Sequence, residues 1–190
     1  TFKFAASLFS SDKAGKRKVW DSVFVPIRQP GWWKGDREYH PPAYTQPISN
    51  LESSLRKGEF VVATEVTPPL GSASDKLRQN IELVKPFVKA INFTDSSSAI
   101  PRMSSIACSS IAAGLGAEPV YQIAARDATR TRLQGDVIGA CQLGIKNILC
   151  VTGDSQAAGL PPYGNMNMPD LDSVQMLWIL RRLRDERKYL

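Results

Sequence analysis

Histidine is nearly missing from this 190-residue chain: His40 stands alone, in a Pro-rich stretch. A Ser-His-Asp triad or a His-rich metal centre is therefore a poor expectation, and no metal site is assigned. Cysteine is sparse too. Cys108, Cys141 and Cys150 cannot all pair within one chain, and no two stand in a C-x-x-C spacing. That argues against a disulfide framework and a cysteine zinc site. Cys108 and Cys150 read as small apolar fillers without chemistry. No apolar run approaches the roughly 18–20 residues needed to span a bilayer, so no membrane partner is expected. Neither G-x-G-x-x-G nor a P-loop occurs, which removes most support for a Rossmann dinucleotide fold or an NTPase. Acidic residues are in the minority, 18 against 24 Lys and Arg, for a formal charge of +6.

The positive surplus gathers at residues 13–18 and over the last ten residues, Arg181 to Leu190. No aromatic interleaving accompanies these runs. A solvated helix face and a basic arm explain them better than a nucleic-acid interface. The first residues lack a long apolar core followed by a cleavage signal, so a secretory peptide is not expected and a cytoplasmic location is. Thr1 in place of a start methionine suggests a processed or incomplete product.

Two compositions divide the chain. Residues 1–58 hold Trp20, Trp32, Trp33, His40 and five prolines. Such text rarely forms regular helices. It reads as an extension or linker arm that lays its tryptophans on another surface. Residues 59–190 are periodic. Strand-like runs at 59–65, 88–94, 119–124 and 146–152 alternate with helical patterns at 72–84, 104–114, 129–143 and 172–188. Ser72 or Ser74 is the expected cap of the first of these helices, Gly114 ends the second, and Val174, Leu177, Trp178 and Leu180 form the buried stripe of the last. The order βαβαβαβα with apolar strands is that of an α/β protein with a parallel sheet covered on both faces. Each βα unit takes about 33 residues, against roughly 31 in a (β/α)8 TIM barrel of about 250 residues. Half such a barrel and an open doubly wound sheet both fit.

In either architecture the active site lies beyond the carboxyl ends of the strands. The first strand ends at Glu65, ahead of Thr67-Pro68-Pro69. The second ends at Thr94-Asp95, ahead of Ser96–Ser98. The third ends at Arg126-Asp127, and the fourth at Thr152-Gly153-Asp154. Any one of these acids alone is an ordinary cap or loop residue; four at one rim make a candidate site. Glu65 follows Val61, Val62 and Ala63, and an apolar wall would hold its proton for general acid work. Gly153 would let a ligand approach the backbone beside Asp154. The serines offer hydroxyls to phosphates, and Arg126 offers a charge-assisted contact to a pyrophosphate.

Taken together, ATEVTPP around Glu65, AARDATR around Asp127 and GIKNILCVTGD at residues 144–154 resemble the methylenetetrahydrofolate reductase family. The resemblance runs from about residue 59 to about residue 180. It implies a (β/α)8 barrel of which about four βα units are present. It also implies a flavin, FAD rather than FMN, and reduction of 5,10-methylenetetrahydrofolate to 5-methyltetrahydrofolate in one-carbon metabolism. Glu65 then corresponds to the general acid that helps open the imidazolidine ring, and Asp154 to the acid beside flavin and pterin. Thr94 corresponds to a flavin-contacting threonine; Asp95, Gln122, Arg126, Asp127, Thr152 and Gly153 fall in the cofactor-binding region. Gln122 stands where many members have histidine, and Thr152 where many have arginine. Where many members place an aromatic residue over the flavin, this sequence reads Met166-Asn167-Met168-Pro169-Asp170, with Tyr163 as the candidate substitute. Residues 169–174 resemble a divergent branch of the family, some of whose members take electrons from partner subunits. Implied partners are a folate, NAD(P)H or an electron-delivering subunit, and further copies in an oligomer. The missing strands leave three explanations: a longer polypeptide, a second chain that completes the barrel, or a short rearranged sheet. A non-catalytic reductase-like subunit that docks through its Trp-rich arm is the alternative function. A barrel enzyme acting on a pterin or corrinoid methyl group is a third.

Overall fold

The computed structural model describes residues 41–155 and 170–189. The tryptophan-bearing part of the expected arm, His40, Tyr163 and Met166–Pro169 lie outside the described residues.

Five helices and four strands follow in order: α1 (Asn50–Arg56), β1 (Ala63–Val66), α2 (Asp75–Val84), β2 (Ala90–Phe93), α3 (Ser105–Gly114), β3 (Pro119–Ala124), α4 (Arg130–Gln142), β4 (Asn147–Val151) and α5 (Ser173–Glu186). The strands form one parallel sheet in the spatial order β1-β2-β3-β4. That order decides between the two architectures. A doubly wound sheet reverses direction at a switch point, whereas a barrel adds each strand beside its predecessor. The described sheet is a run of four consecutive barrel units.

Strand alternation builds two unlike faces. Val66, Ile91 and Phe93 turn outward and pack with Leu77, Ile81, Cys108 and Ala112 of the covering helices. Glu65, Asn92 and Gln122 occupy the alternate positions and share the inner face. Burial pushes the thiols of Cys108 and Cys150 up to about 11, so both are poor nucleophiles near neutral pH.

Helix starts follow local chemistry. The hydroxyls of Ser104 and Thr129 accept the N–H groups of Ala107 and Arg132, and Asp172 forms a reciprocal capping box with Gln175. Three expectations need correction. Ser74 stands at the cap of α2, but its hydroxyl makes no cap bond and instead accepts from Arg78 Nε at 3.3 Å. Gly114 is still helical; the left-handed turn after α3 is Gly116, at φ +74°. The buried face of α5 is Gln175, Met176 and Ile179, while Val174 and Leu177 are exposed. Two apolar stripes run along that helix, and Met176, Ile179 and Leu183 keep the i, i+3, i+7 spacing of the inward one.

The edges of the first strand and of the arm also shift. β1 begins at Ala63, its first register partner being Ala90, and Phe60 stands almost fully in solvent. α1 falls within residues 1–58 but belongs to the barrel unit, which begins at Pro41. The Glu118 carboxylate accepts the N–H groups of Asn50 and Leu51 at 3.0 and 2.7 Å, and Ser49 Oγ donates to Asn147 Oδ1 at 2.7 Å. A carboxylate at a helix N-terminus is favourable for dipole and hydrogen-bond reasons alike. α1 is thereby pinned under the amino ends of β3 and β4. Among the described residues no helix is long and apolar enough to cross a membrane.

Ser105 ties α3 to the sheet. Its hydroxyl, 1% exposed, donates to the Phe93 carbonyl at 2.7 Å and accepts the Gln122 N–H at 3.1 Å. Ser105→Ala orphans both backbone groups, and the expected loss of stability is about 1–3 kcal/mol. Urea unfolding checks this; an unchanged midpoint refutes it.

Candidate active site at the carboxyl rim of the sheet

The inner face carries a row of polar side chains across three strands. Register places Glu65 opposite Asn92. Asn92 Nδ2 donates to Glu65 Oε2 at 2.9 Å and to Gln122 Oε1 at 3.0 Å. Glu65 is exposed on this face, so the apolar wall expected from its strand neighbours is not around it. Val61 and Val62 precede the paired strand, and Ala63, on the same face as Glu65, is itself exposed. The turn behind Glu65 is anchored: Arg102 Nη1 donates to the Pro68 carbonyl at 3.0 Å and Met103 N–H to that of Pro69 at 2.9 Å. Asn92 escaped the sequence reading, although it stands only two residues before Thr94.

Beyond the strand ends, three loops converge on one guanidinium. Arg126 Nη2 donates to the Ser96 carbonyl at 3.1 Å, Nη1 donates to the Asp154 carbonyl at 3.2 Å, and Nε donates to Asp127 Oδ2 at 2.9 Å. Nη2 also bonds Asp127, in an ion pair. The Arg126 side chain is only 5% exposed. Its hydrogen bond to Asp127 chiefly holds it in its charged form. Expected to meet a pyrophosphate, Arg126 is instead spent on the protein, leaving at most one of its five N–H donors.

The loop after β2 is strained. Ser96, Ser98 and Ala99 all have left-handed φ, at 45°, 58° and 54°, each at a cost of about 1–2 kcal/mol for an L-residue. Two contacts hold it there: Arg126 on Ser96, and the Ser98 N–H on Asp154 Oδ2 at 2.6 Å. Both contacts use the serine backbone, not the hydroxyls expected to serve phosphates. Strain of this kind clusters at functional sites.

The remaining candidates separate. Thr94 is 5% exposed, and its hydroxyl has no partner among the described residues. Asp95 Oδ2 accepts the Ala124 N–H at 2.9 Å and so links the ends of β2 and β3. Burial is the main influence on Asp95 and raises its pKa. Thr152 is taken up by the start of α5: its hydroxyl accepts the Ser173 N–H at 3.2 Å. Gly153, at φ +92°, is required by packing. A Cβ there would lie 3.0 Å from Arg126 Cβ and 3.2 Å from Ala124 Cβ. The chain approaches the end of β3 at this glycine. The structure thus groups Glu65, Asn92 and Gln122 in one row and Ser96, Ser98, Arg126, Asp127 and Asp154 in one cluster. Among the described residues, no group of three or more His, Cys, Asp or Glu could hold a metal ion.

The family model described as methylenetetrahydrofolate reductase matches residues 50–176. The chain belongs to that family. No curated protein matches it. The matched span begins at the first residue of α1 and includes every candidate above. Membership makes the sheet the start of a TIM barrel and puts the chain among folate-linked oxidoreductases, whose members generally bind flavin. In a reductase of this family the strained rim faces the side of the barrel where the chemistry is done.

Two predictions arise here. Arg126→Met leaves the Ser96 and Asp154 carbonyls and the Asp127 carboxylate without their donor, and the expected loss is about 1–3 kcal/mol. Residues 95–99 should then be cut faster by protease, and Arg126→Lys should not rescue, since an ammonium cannot fork. Protease resistance equal to wild type in Arg126→Met would refute the clamp.

Asp95 yields a pH dependence. Its folded pKa lies above the unfolded value of about 3.9. The native state then binds the proton more tightly, and stability falls as pH rises through that interval. Asp95→Asn keeps an acceptor for Ala124 without the charge. Its stability relative to wild type should therefore improve from about pH 4 upward and level off above the folded pKa. Urea unfolding at several pH values tests this, and a difference that shrinks with pH contradicts it.

Proposed function

We propose that this chain carries the first part of the active site of a flavin-dependent reductase, with FAD as cofactor. The reaction is conversion of 5,10-methylenetetrahydrofolate to 5-methyltetrahydrofolate. The observation that carries the reading is Glu65 on the inner face, one carboxylate oxygen fixed by Asn92 and the other without a partner among the described residues. A carboxyl so held can deliver a proton from Oε1 to the folate amine nitrogen that leaves as the five-membered ring opens.

A flavin fits the rim on one count. The buried Thr94 hydroxyl lacks a partner, and buried polar groups ordinarily have one. Thr94 is therefore the residue we assign to holding the cofactor at the end of β2. When bound, the flavin supplies the hydride. Arg126 acts behind this contact by fixing the loops after β2, β3 and β4. Asp154 keeps one carboxylate oxygen on Ser98 N–H and presents negative charge at the rim, where it can accept from a pterin edge or stabilise a developing cation.

Glu65→Gln tests the assignment. With the flavin reduced chemically, the rate of folate reduction should fall about 10²–10⁴-fold, with the flavin absorption bands unchanged. Retained folate reduction refutes the role of Glu65. A purified chain without flavin bands, and unable to take up added FAD, would favour the non-catalytic docking subunit.

A further inference from the structure

We propose that Asn92 is a positioning residue for Glu65, holding one carboxylate oxygen so that the other alone carries the proton; the inference rests on the function assigned above. Three observations converge. Register sets Asn92 directly opposite Glu65, so the contact is dictated by strand pairing and not by a chance rotamer. Asn92 Nδ2 has two hydrogens, and both are committed, one to Glu65 Oε2 at 2.9 Å and one to Gln122 Oε1 at 3.0 Å. The amide cannot flip without setting its oxygen against the Glu65 carboxylate. As a result Asn92 Oδ1 is buried with no partner.

That last fact shows what the residue is for. Asn is depleted in strands, and parallel barrel strands favour Val and Ile. An aliphatic residue at position 92 would avoid an orphaned acceptor. A local rule broken in a strand whose other described residues are Ala90, Ile91 and Phe93 marks a position chosen for the site over the fold. Gln122 completes the arrangement. By accepting the second Nδ2 hydrogen it fixes the plane of the Asn92 amide, and with it the direction from which Glu65 is held. The Asn92 and Gln122 amides are neutral, so this row constrains Glu65 without adding a charge beside it.

The test is Asn92→Val in the full chain, close in shape and unable to donate. With the flavin reduced by dithionite, single-turnover reduction of saturating methylenetetrahydrofolate should slow about 10- to 100-fold, the scale of a small misplacement of a catalytic group. The folate dissociation constant should stay within about threefold, since a positioning role acts on the step and not on uniform binding. The flavin spectrum should match wild type. A single-turnover rate within about twofold of wild type overturns the proposal, as does a slowed rate accompanied by lost flavin or folate binding.

A second measurement needs no activity. In a double-mutant cycle of Glu65→Met and Asn92→Val, each of which removes one side of the contact, followed by urea unfolding, the two changes should couple, shifting the folding equilibrium constant by about twofold or more from additivity. Additivity overturns the contact and the proposal with it. A wild-type chain that binds flavin and folate but transfers nothing defeats the function assigned above, and the cycle still decides for or against the Asn92 contact.

Discussion

A buried guanidinium organises the rim. A parallel sheet supplies no hydrogen bonds between the loops that leave its carboxyl ends, so each loop is free unless something ties it. Arg126 ties three. Its fork reaches the carbonyls of Ser96 and Asp154 and the carboxylate of Asp127, which a single ammonium could not do. The strained turn after β2 depends on this. Left-handed serines persist only where neighbours over-determine them, and Arg126 on one side with Asp154 on the other supplies the two anchors. Gly153 belongs to the same constraint: the backbone passes against Ala124 and the Arg126 stem, where a Cβ would be crowded at 3.0–3.2 Å and the φ of +92° is strained for any other residue.

The inner face obeys a different logic. The rim is held by charge; the row Glu65-Asn92-Gln122 is held by register. Strand pairing brings Glu65 and Asn92 together whatever the loops do, and Ser105 secures the register from behind through Phe93 and Gln122. The two subsystems meet at β2, which carries Asn92 on the inner face and then leads through Thr94 into the strained turn.

The βα repeat was legible in the residues, because it follows from period. The exposed, inner-face setting of Glu65 was not read there, since the run of apolar neighbours before it suggested an apolar wall. Barrel and doubly wound sheet could not be separated, because that distinction lies in the spatial order of strands, which periodicity does not encode. The stripe on α5 was misassigned for a related reason: the helix carries two, and only its packing chooses between them. The arm was drawn too long because its composition changes at residue 58, whereas α1 is fixed by Glu118 and Asn147, side chains about 68 and 98 positions away.

Arg126 shows most clearly where residue-level reasoning stops. An arginine at a strand end, beside serines and aspartates, offers the chemistry of an anion clamp, and sequence cannot say whether the anion is a ligand or the protein. The structure answers with the donor count. Nearly all its N–H groups are spent at home, on Asp127, Asp154 and Ser96, which leaves little of the fork for an anion from outside. Among the described residues, the buried side-chain atoms without a partner are Arg102 Nε, the Ser109 hydroxyl, the Thr94 hydroxyl and the Asn92 amide oxygen, the last two standing two residues apart at the carboxyl end of β2. A folding optimum would have made both aliphatic. Their unsatisfied oxygens set the carboxyl end of β2 apart from the acid-rich loops, whose Asp127 and Asp154 carboxylates already have protein partners, and the cofactor contact proposed above is placed at Thr94 on that ground.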